Sequence, residues 1–289
     1  MKLSPGDTVA LVAPSGPAAP ELLDRAAEAL RAWDLVVKRF DTACPTRKYL
    51  SDSDTRRAER FQAAWTDPSV RAVFAARGGY GTQRMLDLLD WPALRAAGAK
   101  IFAGSSDLTA LHQAIAAHLG LPTLFSPMPA GALWDEVSAG HLRRTLFESE
   151  TVLRGTGCLV PGRARGVLTG GTLSMLAAGV GTPEHRPPET GIVVLEDVGE
   201  ALYRLDRLVT QLLRSGWFDG VRGIVLGSWS NCGDAEDVRA LMLERLGPLG
   251  VPILGDLRFG HCPGALTIPL GVEAVLDAEA GTLTMVGGG

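Results

Sequence analysis

The chain has 289 residues, 46% of them hydrophobic, enough for one large core or two modest ones. A formal net charge of −4 leaves no broad basic footprint and argues against a nucleic-acid binder. No run reaches the ~18 apolar residues of a membrane span, and the cysteines (Cys44, Cys158, Cys232, Cys262) are scattered without a close pair, which fits a reducing compartment and offers no zinc framework.

In chain order, Val9–Ala13 reads as a short buried strand broken by Pro14-Ser15-Gly16-Pro17. The same run is too short for a signal-peptide core, so the expected location is cytoplasmic, with no membrane partner. Glu21–Leu35 has helical spacing, with Leu22, Leu23, Ala26, Leu30 and Trp33 on one side, and Val36–Phe40 is a second strand. Asp52-Ser53-Asp54 precedes a helix running through Phe61 and Trp65. Arg71–Ala76 is a third strand, Gly81–Leu89 a helix, Ile101–Gly104 a fourth strand with a helix after Ser106, and Pro122–Ser126 a fifth strand. Repeated strand–helix units imply a parallel sheet with helices on both faces, which binds ligands at the carboxyl ends of its strands. Three loops fall on that edge: Pro14–Pro17, Arg77–Gly81 and Gly104–Asp107.

The composition changes after the helix His141–Phe147. Thr151–Arg165 holds short β-like pieces with several glycines and prolines, and the expected division is residues 1–150, a linker over 151–165, and a second domain over 166–289. The second half reads as strand Gly166–Leu168, helix Leu173–Ala178, a Gly/Pro-rich loop from Gly179 to Thr190, strand Ile192–Leu195 and helix Leu202–Leu213. Strand Gly223–Gly227 and helix Glu236–Leu246 follow, and the strands Ile253–Leu257, Leu266–Ile268, Ala274–Leu276 and Thr282–Met285 close the chain.

Four segments carry candidate chemistry. Lys100–Leu119 reads strand, tight turn, helix, with Ser105-Ser106-Asp107 at the turn. A serine there stands at a helix start with free N–H groups; it is either a nucleophile with an oxyanion site beside it or a plain helix cap. Arg77-Gly78-Gly79-Tyr80-Gly81 lets the backbone approach a ligand closely, or simply turns the chain, and it lacks the lysine and the spacing of nucleotide-binding loops. Arg77 suits a substrate carboxylate or the bracing of its own loop equally. Leu195-Glu196-Asp197-Val198-Gly199-Glu200 ends a buried strand, so Glu196 points into a cleft or into an acidic loop, with Asp197 facing the other way. His261 is held on a turn between Gly260 and Cys262-Pro263, whereas His112, His118 and His141 sit on helices and His185 in a charged loop. Cys262 is a weaker nucleophile candidate.

In order and spacing, Arg77–Gly81, Gly104-Ser105-Ser106-Asp107-Leu108-Thr109, Leu195–Glu200 and Phe259-Gly260-His261 resemble the motifs of the serine LD-carboxypeptidase family, which includes muramoyl-tetrapeptide carboxypeptidases and microcin-immunity peptidases. Val12-Ala13-Pro14-Ser15-Gly16 and Thr267-Ile268-Pro269-Leu270-Gly271 support it, and the resemblance runs from Val9 to about Leu276. Gly170-Gly171-Thr172-Leu173 departs from the family's usual Gly-Gly-Asn-Leu, which leaves any substrate contact of that asparagine open.

The resemblance implies an α/β fold with a Rossmann-like N-terminal domain and a β-rich C-terminal domain. It places the nucleophile on Ser106, the general base on His261 and its carboxylate partner on Glu196, with the Gly79 and Asp107 N–H groups as the oxyanion hole. Leu108 stands where the nucleophile elbow of α/β-hydrolases needs its last glycine, so the fold is expected to differ from theirs. The implied substrate is a murein tetrapeptide that loses its terminal D-alanine in peptidoglycan recycling, without metal or cofactor, in a protein that pairs as a homodimer. One alternative is a microcin-immunity peptidase acting on a peptidyl- or aminoacyl-nucleotide, for which Trp134 and Trp229 are the aromatic residues to inspect. An alternative of another class is a non-catalytic binding protein on the same fold, against which the intact Ser106, Glu196 and His261 argue.

Overall fold

The computed structural model describes residues 2–40, 48–148 and 151–286. Cys44 lies outside the described residues. The chain divides into two compact units, Met1–Ser149 with Leu266–Ile268, and Glu150–Ala265 with Pro269–Gly289.

The first unit alternates strands and helices: β1 (Thr8–Val12), α1 (Pro20–Arg31), β2 (Val36–Arg39), α2 (Asp54–Thr66), β3 (Val70–Ala75), α3 (Trp91–Ala96), β4 (Ile101–Gly104), α4 (Thr109–Leu119), β5 (Thr123–Phe125) and α5 (Glu136–Phe147). Strand pairs β2–β1, β1–β3, β3–β4 and β4–β5 are all parallel, so each crossover runs over a face of the sheet. The helices bury apolar stripes on it: Leu23, Ala26 and Leu30 of α1 share a core with Val9, Leu11 and Phe74. On α2, Phe61 packs against Phe102 of β4. Helix starts are set by short polar caps, as where Arg56 N–H donates to Ser53 Oγ and Ser138 N–H to Asp135 Oδ1.

Three expectations for this unit change, the first being that the helix expected over Glu21–Leu35 ends at Arg31. The helix expected over Gly81–Leu89 is a 3-10 segment, Thr82–Leu88, because Gly81 enters it in the left-handed region and Asp107 holds Thr82. Helix α5 begins five residues ahead of the expected His141, at its Asp135 cap.

The second unit holds β6 (Val152–Arg154), β7 (Gly157–Val160), β8 (Arg163–Thr172), α6 (Leu173–Ala178), β9 (Gly191–Val198), α7 (Leu202–Arg214), β10 (Val221–Ser230), α8 (Ala235–Leu246) and β11 (Ile253–Gly255). After the return segment come β13 (Glu273–Asp277) and β14 (Thr282–Met285). Strands β8, β9, β10 and β11 form a parallel centre, extended by antiparallel pairing of β13, β14 and β6 on one side and β7 on the other. Helices α7 and α8 bury Leu205, Val209, Leu212, Val238 and Met242 against Val193, Leu195, Ile224 and Leu226. Residues 151–165 are therefore not a linker: they supply β6, β7 and the start of β8, stabilised by pairing with strands far along the chain. Conversely Leu266–Ile268, expected to finish the second domain, belongs to the first unit, where Ile268 opens β12 (Ile268–Leu270) and Thr267 N–H donates to His141 Nδ1. Among the described residues no helix is long and apolar enough to cross a membrane.

Candidate active site

In the first unit the loops after β1, β3 and β4 meet at the carboxyl edge of the sheet. Ser106 follows β4 and opens a one-turn 3-10 segment, Ser106–Leu108, that leads into α4. Its φ is 63°, a left-handed conformation that is uncommon for a residue with a Cβ. Ser105, extended, makes no side-chain cap bond, so neither serine acts as an ordinary helix cap. Ser106 is half-buried while Ser105 and Asp107 are buried.

The glycine loop lies directly on the serine. A Cβ added at Gly78 would come within 3.0 Å of Ser106 Cβ and 3.3 Å of its Oγ, so a larger residue there would press on the serine. Gly79 has φ 129°, and among the described residues its N–H donates to no protein acceptor. The Asp107 side chain turns away from the serine and accepts on one oxygen from Ser15 Oγ at 2.6 Å, Thr82 N–H at 2.9 Å and Thr82 Oγ1 at 2.6 Å. Arg77 is exposed and donates to the Pro17 carbonyl at 2.5 Å, bracing the neighbouring loop. His112, behind the turn, is buried between the Gly104 carbonyl (2.9 Å) and Thr123 Oγ1 (2.8 Å), and burial holds its pKa down at about 4.

In the second unit Glu196 is fully buried near the end of β9. One of its oxygens accepts from Thr172 Oγ1, opposite it in the β8–β9 register. The other accepts from the His261 backbone N–H at 3.1 Å and meets His261 Nδ1 at 2.7 Å. A carboxylate only accepts, so Nδ1 carries the proton and the lone pair is left on Nε2. Burial pulls the His261 pKa down, but the hydrogen bond and charge of Glu196, with the charge of Asp197, outweigh it and the net shift is upward. Gly260 (φ 92°) makes this pairing possible, because a Cβ there would sit 2.3 Å from the Glu196 oxygen. The Ser230 hydroxyl donates to the His261 carbonyl and holds the turn from behind.

Asp197, next along β9, faces other partners: Ser174 N–H at 2.7 Å, Ser174 Oγ at 3.3 Å and Val198 N–H at 2.8 Å. Burial raises its pKa to about 6 against the pull of those donors. Among the described residues no group of three or more His, Cys, Asp or Glu side chains is placed to hold a metal ion.

Reading the sequence missed three side chains here. Thr172 stood out as a departure from a motif, yet its bond to Glu196 depends on strand register. Ser15 and Thr82 converge on Asp107 from 92 and 25 residues away; Ser15 at least was visible in the Pro14–Gly16 motif. Of the two tryptophans singled out, Trp134 packs against Trp33 at 5.9 Å. Trp229 lines a cavity of about 430 Å³ within the second unit, together with Ser228, Met242, Leu257 and Cys262.

Comparison with known proteins gives a consistent picture. Residues 9–126 match the LD-carboxypeptidase N-terminal domain and residues 165–276 the LD-carboxypeptidase C-terminal domain. A Streptomyces coelicolor protein named as a putative carboxypeptidase is 55% identical, with 98% of this chain and 94% of that protein aligned. The crystal structure of muramoyltetrapeptide carboxypeptidase from Oxalobacter formigenes superposes with a TM-score of 0.87 at 30% identity, covering 96% of this chain and 97% of that one. An MccF-like protein from Bacillus anthracis superposes with a TM-score of 0.88 at 25% identity, covering 100% and 99%.

Proposed function

The chain belongs to the LD-carboxypeptidase family, and on that premise we propose that it is a serine peptidase that releases the terminal D-alanine of a murein tetrapeptide. The observation that carries this reading is the Glu196–His261 pair, which leaves a basic ring nitrogen held in one orientation. A serine hydroxyl is a weak nucleophile at neutral pH and needs such a base. His261 Nε2 takes the Ser106 proton as the oxygen attacks the scissile carbonyl, and Glu196 stabilises the imidazolium. The N–H groups of Gly79 and Asp107 receive the developing oxyanion; each such donor is worth about 2.7–4 kcal/mol in the transition state. His261 then protonates the departing amine of D-alanine, and water, activated by the same nitrogen, clears the acyl-enzyme. Recycling of wall peptides goes with a cytoplasmic enzyme, and the family resemblance with a homodimer.

A second reading, hydrolysis of a peptidyl- or aminoacyl-nucleotide, is supported by the likeness to the MccF-like protein. The test is incubation with murein tetrapeptide and, separately, with an aminoacyl-nucleotide amide, followed by quantification of released D-alanine or amino acid. Ser106→Ala is expected to lower kcat by at least about 10³-fold with an unchanged circular-dichroism spectrum. An equally active Ser106→Ala variant would remove the nucleophile assignment. Turnover of the nucleotide conjugate alone would replace the first substrate by the second.

A further inference from the structure

Resting on that reading, we propose that Arg57 and the side chain of Asp107 are positioning residues: together they clamp the loops after β1 and β3 so that the Gly79 N–H stays aimed for the reaction at Ser106. The geometry is paired. In the β1 loop, Arg57 grips Pro14 and Asp107 grips the next residue, Ser15; in the β3 loop, Arg57 grips Gly81 and Asp107 grips the next residue, Thr82. Arg57 works as a donor, through one nitrogen shared between the Pro14 carbonyl and the Gly81 carbonyl (2.9 Å). Asp107 works as an acceptor, through a single oxygen that takes both hydroxyls and the Thr82 N–H. Arg57 is 1% exposed and Asp107 3%, so water does not compete for either grip. The Arg57 charge is balanced by Asp54 at 2.5 Å.

The consequence for Gly79 follows from peptide planarity. With the loops held together, Gly16 N–H donates to the Gly78 carbonyl at 3.2 Å. That carbonyl and the Gly79 N–H belong to one trans peptide unit and point in opposite directions. Tying the Gly78 oxygen to Gly16 therefore turns the Gly79 N–H away from Gly16, in the loop where a Cβ on Gly78 would meet Ser106. Loosening either grip frees this peptide to rotate. A donor displaced by about 1 Å costs on the order of 10²-fold in rate, close to the loss of the donor itself.

The test uses Thr82→Val, which keeps the shape of the side chain and its backbone N–H but removes one donor to Asp107, with Thr82→Ser as the conservative rescue. For D-alanine release, kcat is expected to fall about 10- to 100-fold in Thr82→Val with KM within about twofold, and to recover to within about threefold in Thr82→Ser. The backbone amide resonance of Gly79 is expected to shift in Thr82→Val and to return in Thr82→Ser. A kcat unchanged by Thr82→Val, a loss confined to KM, or a Gly79 amide signal indifferent to both variants overturns the clamp. If the wild-type protein releases no D-alanine, the peptidase reading fails by itself, and the Gly79 signal still decides whether the clamp sets that peptide.

Discussion

The two units prepare their parts of the candidate chemistry by different physical means. In the first, position comes from backbone shape: a serine at φ 63°, a glycine loop resting on it, and buried hydrogen bonds that hold the loops together. In the second, position comes from charge: a fully buried carboxylate on a central strand orients an imidazole and raises its pKa. A site built on backbone shape fails when a Cβ is misplaced. A charge-built site answers to protons and to loss of its carboxylate. The histidines show the same contrast, since His112 is buried against neutral partners and held neutral, whereas His261 is half-buried against Glu196 and favours its proton.

The sharpest way to break this comparison is Glu196→Gln, which keeps size and burial but removes the charge. Without the carboxylate the imidazole loses its fixed tautomer, and kcat is expected to fall about 10³- to 10⁴-fold. If His261 is the base, as proposed, it must be neutral to act, so the acid limb of wild-type kcat/KM is expected above the ordinary histidine value of 6.5. Residual activity of the variant should show that limb moved downward. A variant within about tenfold of wild type, as read by steady-state kinetics, would mean that charge is not what prepares His261.

Next in size is Gly260→Ala, which carries the sensitivity to backbone shape into the second unit. The added Cβ would meet the Glu196 oxygen at 2.3 Å at a φ of 92°. A loss of at least about 2 kcal/mol in stability is expected, read by urea denaturation, together with loss of activity. A fully stable and active alanine variant would show that the turn has more room than this contact allows.

The smallest expected effect is a divergence with pH. Unfolded histidine takes a proton near 6.5, whereas folded His112 resists until about 4, so the first unit loses stability as pH falls through that window. For His261 the folded pKa is the higher one, so its contribution is fully present below 6.5 and is lost as pH rises through the raised value. Hydrogen exchange, corrected for intrinsic rates, at about pH 5 and about pH 7.5 should therefore show α4 weakening in acid relative to β9. His112→Gln is expected to shrink that difference to the His261 contribution; parallel behaviour of the two elements in the wild type would refute the opposed shifts.

Much of this was legible along the chain because its signals are local. Helix and strand periodicities located most elements, and the residues with chemistry stand where strands end, as at Gly104-Ser105-Ser106 and Leu195-Glu196. The short β-like pieces over Thr151–Arg165 were legible but not their place in the sheet: β6 and β7 have three and four residues and pair with partners more than 90 residues away, in β14 and β11. The same holds for the return of Leu266–Ile268 to the first unit, which rests on a contact with His141.

Residue order by itself determined that a serine would stand at a strand-to-helix turn, that a carboxylate would end a buried strand, and that a histidine would sit on a glycine turn, since each depends only on neighbours within a few positions. Tertiary structure alone decided that Ser106 adopts a left-handed conformation, that one oxygen of Asp107 gathers Ser15 and Thr82, and that Thr172 and His261 share Glu196. Those contacts join residues far apart in sequence, and burial is what gives a single hydrogen bond enough weight to choose among the conformations that local preference leaves open.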